Sequence, residues 1–553
     1  MFYGSRMDER TGERDHVVVV RRTADGHALA HGDGVEEVAA GALAAAVARL
    51  EAQGPRWAWD TADVYPALLE AGVRVARAWD LRLGRALLRR AAGTRGTIAA
   101  LPADGWDELA PVDDGALPLD LGSDLDPVAE HARQAAEIAA SERPGALRLL
   151  LTAESAGALA AAEMRFAGLP WRRAEHERLL ASLLGPRVPA DRRPASLERL
   201  ADAVRIALGA PALNPDSPIE LARALRSAGI EVASTRAAEL RTIDHPAVGP
   251  LLEYKKLARL HAANGWAWLD TWVRDDRFHP EYLVGGVVTG RWAARGGGAL
   301  QLPKQIRSAV SADDGWRLVV ADAAQLEPRV LAGLAHDRAM ADAGRGRDLY
   351  AGIVASGAVA TRQSAKVGML GALYGATGGE GGRLVPRLAQ RFPRALALVE
   401  QAAREGERGG TVSTLLGRST PPVSDRQRAL DRDAAVFDAD ERVLQRARSV
   451  ARDRGRFTRN FVVQGTAAEW ALCWLADLRG RLWELGEGRV EERPHLVYFL
   501  HDEVIVHTPA AMADRVAEAV TASAESAGRL LFGDFPIDFP LDVAVVDRYD
   551  EAG

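Results

Sequence analysis

The chain has 553 residues, 48% hydrophobic and 26% charged, with a net charge of −6 and one cysteine, Cys473. It is long enough for several domains with cores of their own, and its acidic balance means that any basic surface must be local. A single cysteine excludes an internal disulfide and a cysteine-rich zinc module and points to a reducing compartment. Residues 1 to 15 are charged and lack the apolar core of a secretory leader. No run of about 18 apolar residues could span a bilayer, so a cytoplasmic protein with no membrane contact is expected.

Residues 1–140 open with the strand-like run from Val17 to Arg21. An Ala-rich stretch, Val38 to Leu50, has helical spacing, and a further helix is expected around Tyr65 to Ala71. This reads as a small α/β domain. Asp113 to Pro127, rich in Asp, Gly and Pro without periodicity, reads as a linker. From Ala129 to about Arg274, Leu and Ala recur at three- and four-residue spacing, so helices dominate. Residues 171–205 hold eight arginines against five acidic residues, a local basic excess. Ser217-Pro218 with Glu220 is a helix-start signal, and Glu253 to Arg259 belongs to a second long helix. Arg317 to Asp322 is a short apolar run that ends in a carboxylate, a buried strand. Gln325 to Leu334 resumes helical spacing, with Pro328 interrupting its start. Residues 338 to about 455 are mostly helical, with loops expected at Gly375–Gly382 and Leu416–Asp425. Leu496–Leu500 and Val504–His507 flank His501-Asp502-Glu503 as in a hairpin with a carboxylate at its tip.

Two features carry chemistry. Read as a helix, Arg362 to Gly375 places Arg362, Lys366, Leu370 and Tyr374 at four-residue steps that drift slowly around one face. Two cations followed by a hydrophobe and an aromatic match the phosphate tail and base of a nucleoside triphosphate. Gly368, Gly371 and Gly375 are poor helix formers and would be explained by a backbone that comes close to a ligand. The second feature is a pair of strand-end aspartates, Asp322 and Asp502, 180 residues apart. On adjacent strands they could hold two Mg²⁺ ions, each needing only one or two protein carboxylates, and so support an in-line phosphoryl displacement.

At these residues the chain resembles a known family. Asp322-Ala323-Ala324-Gln325-Leu326-Glu327-Pro328-Arg329 resembles the first palm motif of family A DNA polymerases, the group of bacterial DNA polymerase I. Arg362 to Gly375 looks like the family's fingers helix, and His501-Asp502-Glu503 like its third motif. Thr289-Gly290-Arg291 and Gln464-Gly465-Thr466-Ala467-Ala468 match two more signatures in the family's order. The resemblance runs from about Leu149 to the C-terminus. It implies a multidomain α/β fold: a degenerate ribonuclease H-like exonuclease domain (1–140), then a right-hand polymerase. The thumb would be 141–280, the palm 281–337 with 456–553, and the fingers 338–455.

The same resemblance implies Asp322 and Asp502 as ligands of two Mg²⁺ ions, with the Ala323 carbonyl as a third. It implies Arg362 and Lys366 as the grip on the triphosphate, and Glu327 as a steric gate against a ribose 2′-OH. Tyr374 would stack near the incoming base, with Leu370, Gln325 and His501 beside the nucleotide. Arg291, Arg456, Asn460, Gln464 and Glu503 would contact primed DNA. Partners would be a primed template and dNTPs, for a nucleoid-associated monomer in the cytoplasm. Ala323 and Ala324 stand where the family carries Tyr and Ser, and Leu370 where it carries Phe or Tyr. After Arg291, Ala293 to Gly298 replaces a longer loop.

In the N-terminal domain the exonuclease carboxylates have no counterpart near Val17 to Ala24. Pro66, His131 and Ala135 occupy motif positions, so loss of proofreading is expected. No 5′-nuclease domain is expected. The rival readings are a catalytically silent, polymerase-shaped DNA-binding protein and a single-subunit RNA polymerase.

Overall fold

Four successive valines crowd a helix but sit well on a pleated strand, and Val17–Thr23 forms β1. The computed structural model describes residues 16–32, 34–108, 125–189, 191–295, 302–376 and 378–553. It divides into two units: the chain up to Phe166 with Tyr282–Ala293 and Val319–Val545, and Ala167–Glu281 with Ala294–Leu318 and Val546–Gly553.

In the first unit β1 pairs antiparallel with β2 (Gly26–His31), and β2 with β3 (Gly34–Ala39). After α1 (Leu43–Glu51), β4 (Arg56–Trp59) joins parallel to β1. After α2 (Thr61–Glu70), β5 (Arg77–Asp80) joins parallel to β4, so the order is β3-β2-β1-β4-β5. The helix expected from Val38 therefore starts five residues later. Val38 pairs with His27 in the sheet, and the chain turns at Gly41, whose φ of 81° lies in the left-handed region. Three helices follow, α3 (Leu81–Leu88), α4 (Pro127–Ala139) and α5 (Pro144–Ala167). Trp57, Trp59, Tyr65 and Leu159 are fully buried in one cluster with the sheet. The expected linker falls mostly outside the described residues; its last residue, Pro127, is the first of α4, capped by the Asp126 carboxylate.

The second unit is mainly helical. It begins with β6 (Leu169–Pro170), α6 (Arg173–Leu184) and α7 (Ala195–Leu208). Next come α8 (Pro218–Ser227), α9 (Ala237–Leu240), α10 (Val248–Asn264) and α11 (Trp266–Trp272). The short strands β7 (Val273–Arg274) and β8 (Arg277–Phe278) close a three-stranded sheet in the order β6-β8-β7. The Ser217 hydroxyl accepts the Glu220 N–H at 3.3 Å, as the helix-start signal implies. The local arginine excess is largely paired: Arg173 and Arg187 share Asp270, Arg193 binds Glu198 and Asp216, and Arg205 binds Glu198 and Asp202.

Strands β9 (Glu281–Leu283) and β10 (Ala293–Arg295) flank the loop that carries Arg291. Then come β11 (Trp316–Ala323), α12 (Leu326–Leu334), α13 (Arg338–Gly344) and α14 (Leu349–Ala355). They lead to α15 (Arg362–Tyr374), α16 (Gly379–Arg391), α17 (Pro393–Glu407) and α18 (Asp425–Ala434). The 45-residue α19 (Glu441–Leu485) precedes β12 (His495–Leu500) and β13 (Glu503–Pro509), and α20 (Ala513–Phe532) precedes β14 (Leu541–Val546). The sheet order is β12-β13-β11-β14. Of the loop expected at Gly375–Gly382, the part from Gly379 is already α16. A Cβ on Gly371 would lie 3.1 Å from the Gly381 backbone, so these glycines let α15 and α16 pack.

A buried network ties α5, α2 and α19 within this unit. Glu163 accepts from Tyr65 Oη at 2.6 Å and from Arg479 Nε at 2.8 Å, and Arg479 also donates to the Ala76 carbonyl. No helix among the described residues is long and apolar enough to cross a membrane.

Candidate active site

β11 delivers Asp322 at its end, and the β12–β13 hairpin delivers Asp502 at its tip. The Ala323 N–H donates to the Asp502 carbonyl at 2.9 Å, which docks the strand end against the turn. The turn is tight: His501 sits at φ 58° and the Asp502 N–H donates to the Leu500 carbonyl. Asp322 is open to solvent. Partial burial, then Asp502, Glu503 and Asp542, push its carboxyl up to about 7. Burial pushes Asp502 up to about 6, against the pull of Arg291. The charged groups acting on Asp322 are thus all carboxylates, an arrangement that a divalent cation relieves. Among the described residues no three His, Cys, Asp or Glu side chains form a metal cage. Two carboxylates still suit Mg²⁺, which completes its shell with water and substrate phosphates.

Beside Asp502 lies a cleft lined by Arg291, Trp292, Glu327, Phe499, His501 and Asp502 itself, with Ala467 and Ala468 on one wall. Nearby on α19, a Cβ on Gly465 would fall 2.4 Å from Thr414 Cγ2, so glycine lets α19 approach the segment that carries Thr414. Arg291 forms an ion pair with Glu327 at the cleft. Arg291 and burial both hold His501 below its usual range, burial more strongly.

Pro328 does not interrupt α12. It is the third residue of the helix, in the first turn, where an N–H has no intrahelical partner in any case. Arg329, fully buried, fixes this turn through the Ala324, Gly344 and Arg347 carbonyls and Asp538. Gln325, at φ 51°, accepts the Leu349 N–H at 3.1 Å, so its side-chain oxygen holds α14 in place.

In α15, Arg362, Lys366, Leu370 and Tyr374 are all exposed along one side. The Thr361 hydroxyl caps the N-terminus and Gly375, at φ 70°, ends the helix. Its glycines face protein: a Cβ on Gly368 would meet Leu388 at 2.9 Å and Leu384 at 3.1 Å. The ligand-approach explanation is therefore replaced by helix packing. The Arg362 guanidinium binds Asp348 at 2.7 Å and lies over the Tyr350 ring. Lys366 has no partner among the described residues. Gln464 Nε2 donates to Tyr374 Oη at 3.0 Å, which joins the end of α15 to α19. Burial, then Glu327, raise the Tyr374 hydroxyl. On α19 Arg456 pairs with Asp453, and Asn460 Oδ1 is buried without a partner.

The structure thus gathers Asp322, Asp502, Arg291, Glu327, His501, Tyr374 and Gln464. Arg362 is engaged elsewhere, with Asp348. Asp542, Asp348 and Tyr350 were not anticipated. For Asp542 the alternating Leu541-Asp542-Val543-Ala544-Val545 was the available signal.

The sequence profile of DNA polymerase family A matches residues 193–547, more than half of the chain. The chain belongs to this family. It is 29% identical to the thermostable DNA polymerase I of Thermus aquaticus over 56% of its own length and 37% of the relative's. With the DNA polymerase I of Chloroflexus aurantiacus the figures are 26%, 59% and 34%. The chain therefore spans about a third of the length of these family A relatives. The fold is similar to the solved POL domain of Pol1 from M. smegmatis, a complex with DNA primer-template and dNTP. That likeness has a TM-score of 0.71 and 21% identity and covers 97% of this chain and 95% of that one. Family A polymerases use divalent metal ions, in keeping with the paired aspartates.

Proposed function

We propose that the chain is a DNA-templated DNA polymerase that joins deoxynucleotides to a primer 3′-OH, releasing pyrophosphate. The observation that carries this reading is the meeting of Asp322 and Asp502 at one sheet end, with only carboxylates acting on Asp322. In this reading Asp322, Asp502 and the Ala323 carbonyl hold two Mg²⁺ ions. When bound, these ions stabilise charge on the attacking and leaving oxygens of an in-line displacement.

The chain's own residues position the reactants. Lys366, unpaired among the described residues, and Arg362, released from Asp348, grip the triphosphate and offset its charge. Glu327, pinned by Arg291, fills the space that a ribose 2′-OH would need. Tyr374, held by Gln464, stacks near the new pair, and Leu370, Gln325 and His501 border the nucleotide. Arg291, Arg456, Asn460, Gln464 and Glu503 contact primer and template. Purine N3 and pyrimidine O2 are acceptors common to all pairs, so minor-groove donors check shape rather than sequence.

In this reading residues 141–280 are a thumb, 281–337 with 456–553 a palm and 338–455 fingers, working as a cytoplasmic monomer. The N-terminal sheet is a degenerate exonuclease domain. Its strand order supports that assignment, as does the engagement of Asp60, Asp63 and Asp80 with local partners.

Primer extension with Mg²⁺ and the four dNTPs tests the proposal. The wild type should extend and release no nucleotide from a 3′ single-stranded end. A chain that bound primed DNA but did not extend it would instead be a silent DNA-binding protein. Extension with rNTPs as readily as with dNTPs would favour an RNA polymerase.

A further inference from the structure

The turn that carries Arg291 rests on a buried ion pair that the proposed reaction does not use. Arg418 and Glu154, 264 residues apart in the chain, pair with side chains only 14% and 3% exposed. The loop between β9 and β10 meets this pair at two glycines. A Cβ on Gly285 would lie 3.4 Å from Glu154 Oε2, and one on Gly290 would lie 2.6 Å from Arg418 Nε. The turn is closed by its own bonds: the Gly290 N–H donates to the Val287 carbonyl at 2.8 Å, and the Val287 N–H to the Arg291 carbonyl at 3.0 Å. A shift at Gly290 is therefore passed to Arg291. Arg418 Nε is buried without a hydrogen-bond partner. An unpaired buried N–H costs stability, so hydrogen bonding alone does not account for the guanidinium lying against Gly290.

The loop behind Arg418 is held from several elements. The Thr414 N–H donates to the Arg418 carbonyl at 2.9 Å and closes the loop. From α19, the Thr466 hydroxyl accepts the Leu415 N–H, and Glu469 accepts from the Thr414 hydroxyl and the Leu416 N–H. From the N-terminal part of the chain, the Ala92 N–H donates to the Gly417 carbonyl at 2.8 Å, and Arg143 donates to the Leu415 carbonyl at 2.9 Å. Glu469 and Arg90 are the other charged groups that act on Arg418.

We infer that Arg418, anchored by Glu154, is a positioning residue: it seats the 287–291 turn so that Arg291 stays on Glu327, and so sharpens the preference for deoxynucleotides. An ion pair holds Glu327 still only when the backbone of its arginine is fixed. The N-terminal part of the chain braces the loop behind Arg291, a task independent of nuclease chemistry. The inference rests on the polymerase reading and on Glu327 as its gate.

The test measures single-nucleotide incorporation on a primed template, with kcat and KM for each dNTP and its matching rNTP. The readout is the dNTP-to-rNTP ratio of kcat/KM. Arg418→Met should lower this ratio about tenfold. Arg418→Lys keeps a cation beside Glu154, and with it the fold, but loses the planar fork beneath Gly290, so the ratio should fall several-fold. Arg291→Ala should lower it at least as far as Arg418→Met. The double variant should fall no further than Arg291→Ala alone, because one residue acts through the other. Glu163→Gln breaks a comparably buried ion pair farther along α5; it should lower stability and leave the ratio unchanged. Additive losses in the double variant, an unchanged ratio in Arg418→Lys, or an equal loss in Glu163→Gln would overturn the positioning role and leave the polymerase reading intact. A wild type that takes rNTPs as readily as dNTPs would overturn the gate and this inference together. One that extends with neither would overturn the polymerase reading as well.

Discussion

Two sheets in the first unit end in aspartates, and their fates differ. In the N-terminal sheet Asp60 caps α2 and pairs with Arg82, Asp63 pairs with Arg22, and Asp80 accepts the Thr61 and Leu83 N–H groups. Burial pushes Asp80 up to about 6, close to the value reached by Asp502. A raised carboxyl is thus common to both sheets. What separates them is the partner inventory. The N-terminal acids are used up by helix starts and arginines, whereas Asp322 faces only other acids. A carboxylate that completes the fold is unavailable to a metal, whereas one left among its own kind is relieved by a proton or by a bound cation.

The most direct way to break this comparison is Asp502→Ala. It should lower primer extension by on the order of 10³-fold or more while DNA binding survives; extension near the wild-type rate would sink the metal assignment. Next in size is Glu163→Ala, which leaves Arg479 buried without its carboxylate. Denaturant unfolding should show a loss of about 3–5 kcal/mol.

A pH titration of stability sharpens the distinction between acids that serve the fold and acids that serve the site. Glu469, buried beneath the cleft wall and accepting from Thr414 and the Leu416 N–H, is pushed by burial up to about 7. Its folded-state value lies above its unfolded value. Stability from this group is therefore full below about 4.5 and is lost as pH rises towards 7. Glu469→Gln should flatten that slope, and an unchanged slope would place the titration elsewhere.

Asp60→Ala should cost about 1–2 kcal/mol through the lost cap and leave extension unchanged. If it also abolished release of 3′-terminal nucleotides, the N-terminal sheet would be a working nuclease. The smallest effect expected is from Leu370→Tyr. A ring on the exposed face of α15 should tighten dNTP binding several-fold, as for a stacking contact of about 0.5–1.5 kcal/mol, read as a lower KM.

Motifs with strict spacing were legible before any coordinates. β11, the β12–β13 hairpin and α15 are local elements, and period and capping residues mark their ends. Elements decided by partners were not. Val38 has helical neighbours in sequence but a sheet partner in space, and the start of α16 among glycines depends on Gly371 lying against it. In the site, Asp322 and Asp502 could be named from their places at strand ends. Asp542 was missed because its effect depends on β14 lying beside β11.

The sequence by itself determined which side chains could do chemistry, because residue type and helical or strand period are local properties. Only the tertiary structure decided which of them remain free for it. It pairs Arg362 with Asp348 and Arg291 with Glu327, uses up the N-terminal acids, and leaves Asp322 beside Asp502. Charge pairing and burial depend on residues far apart in the chain, and no local pattern records them.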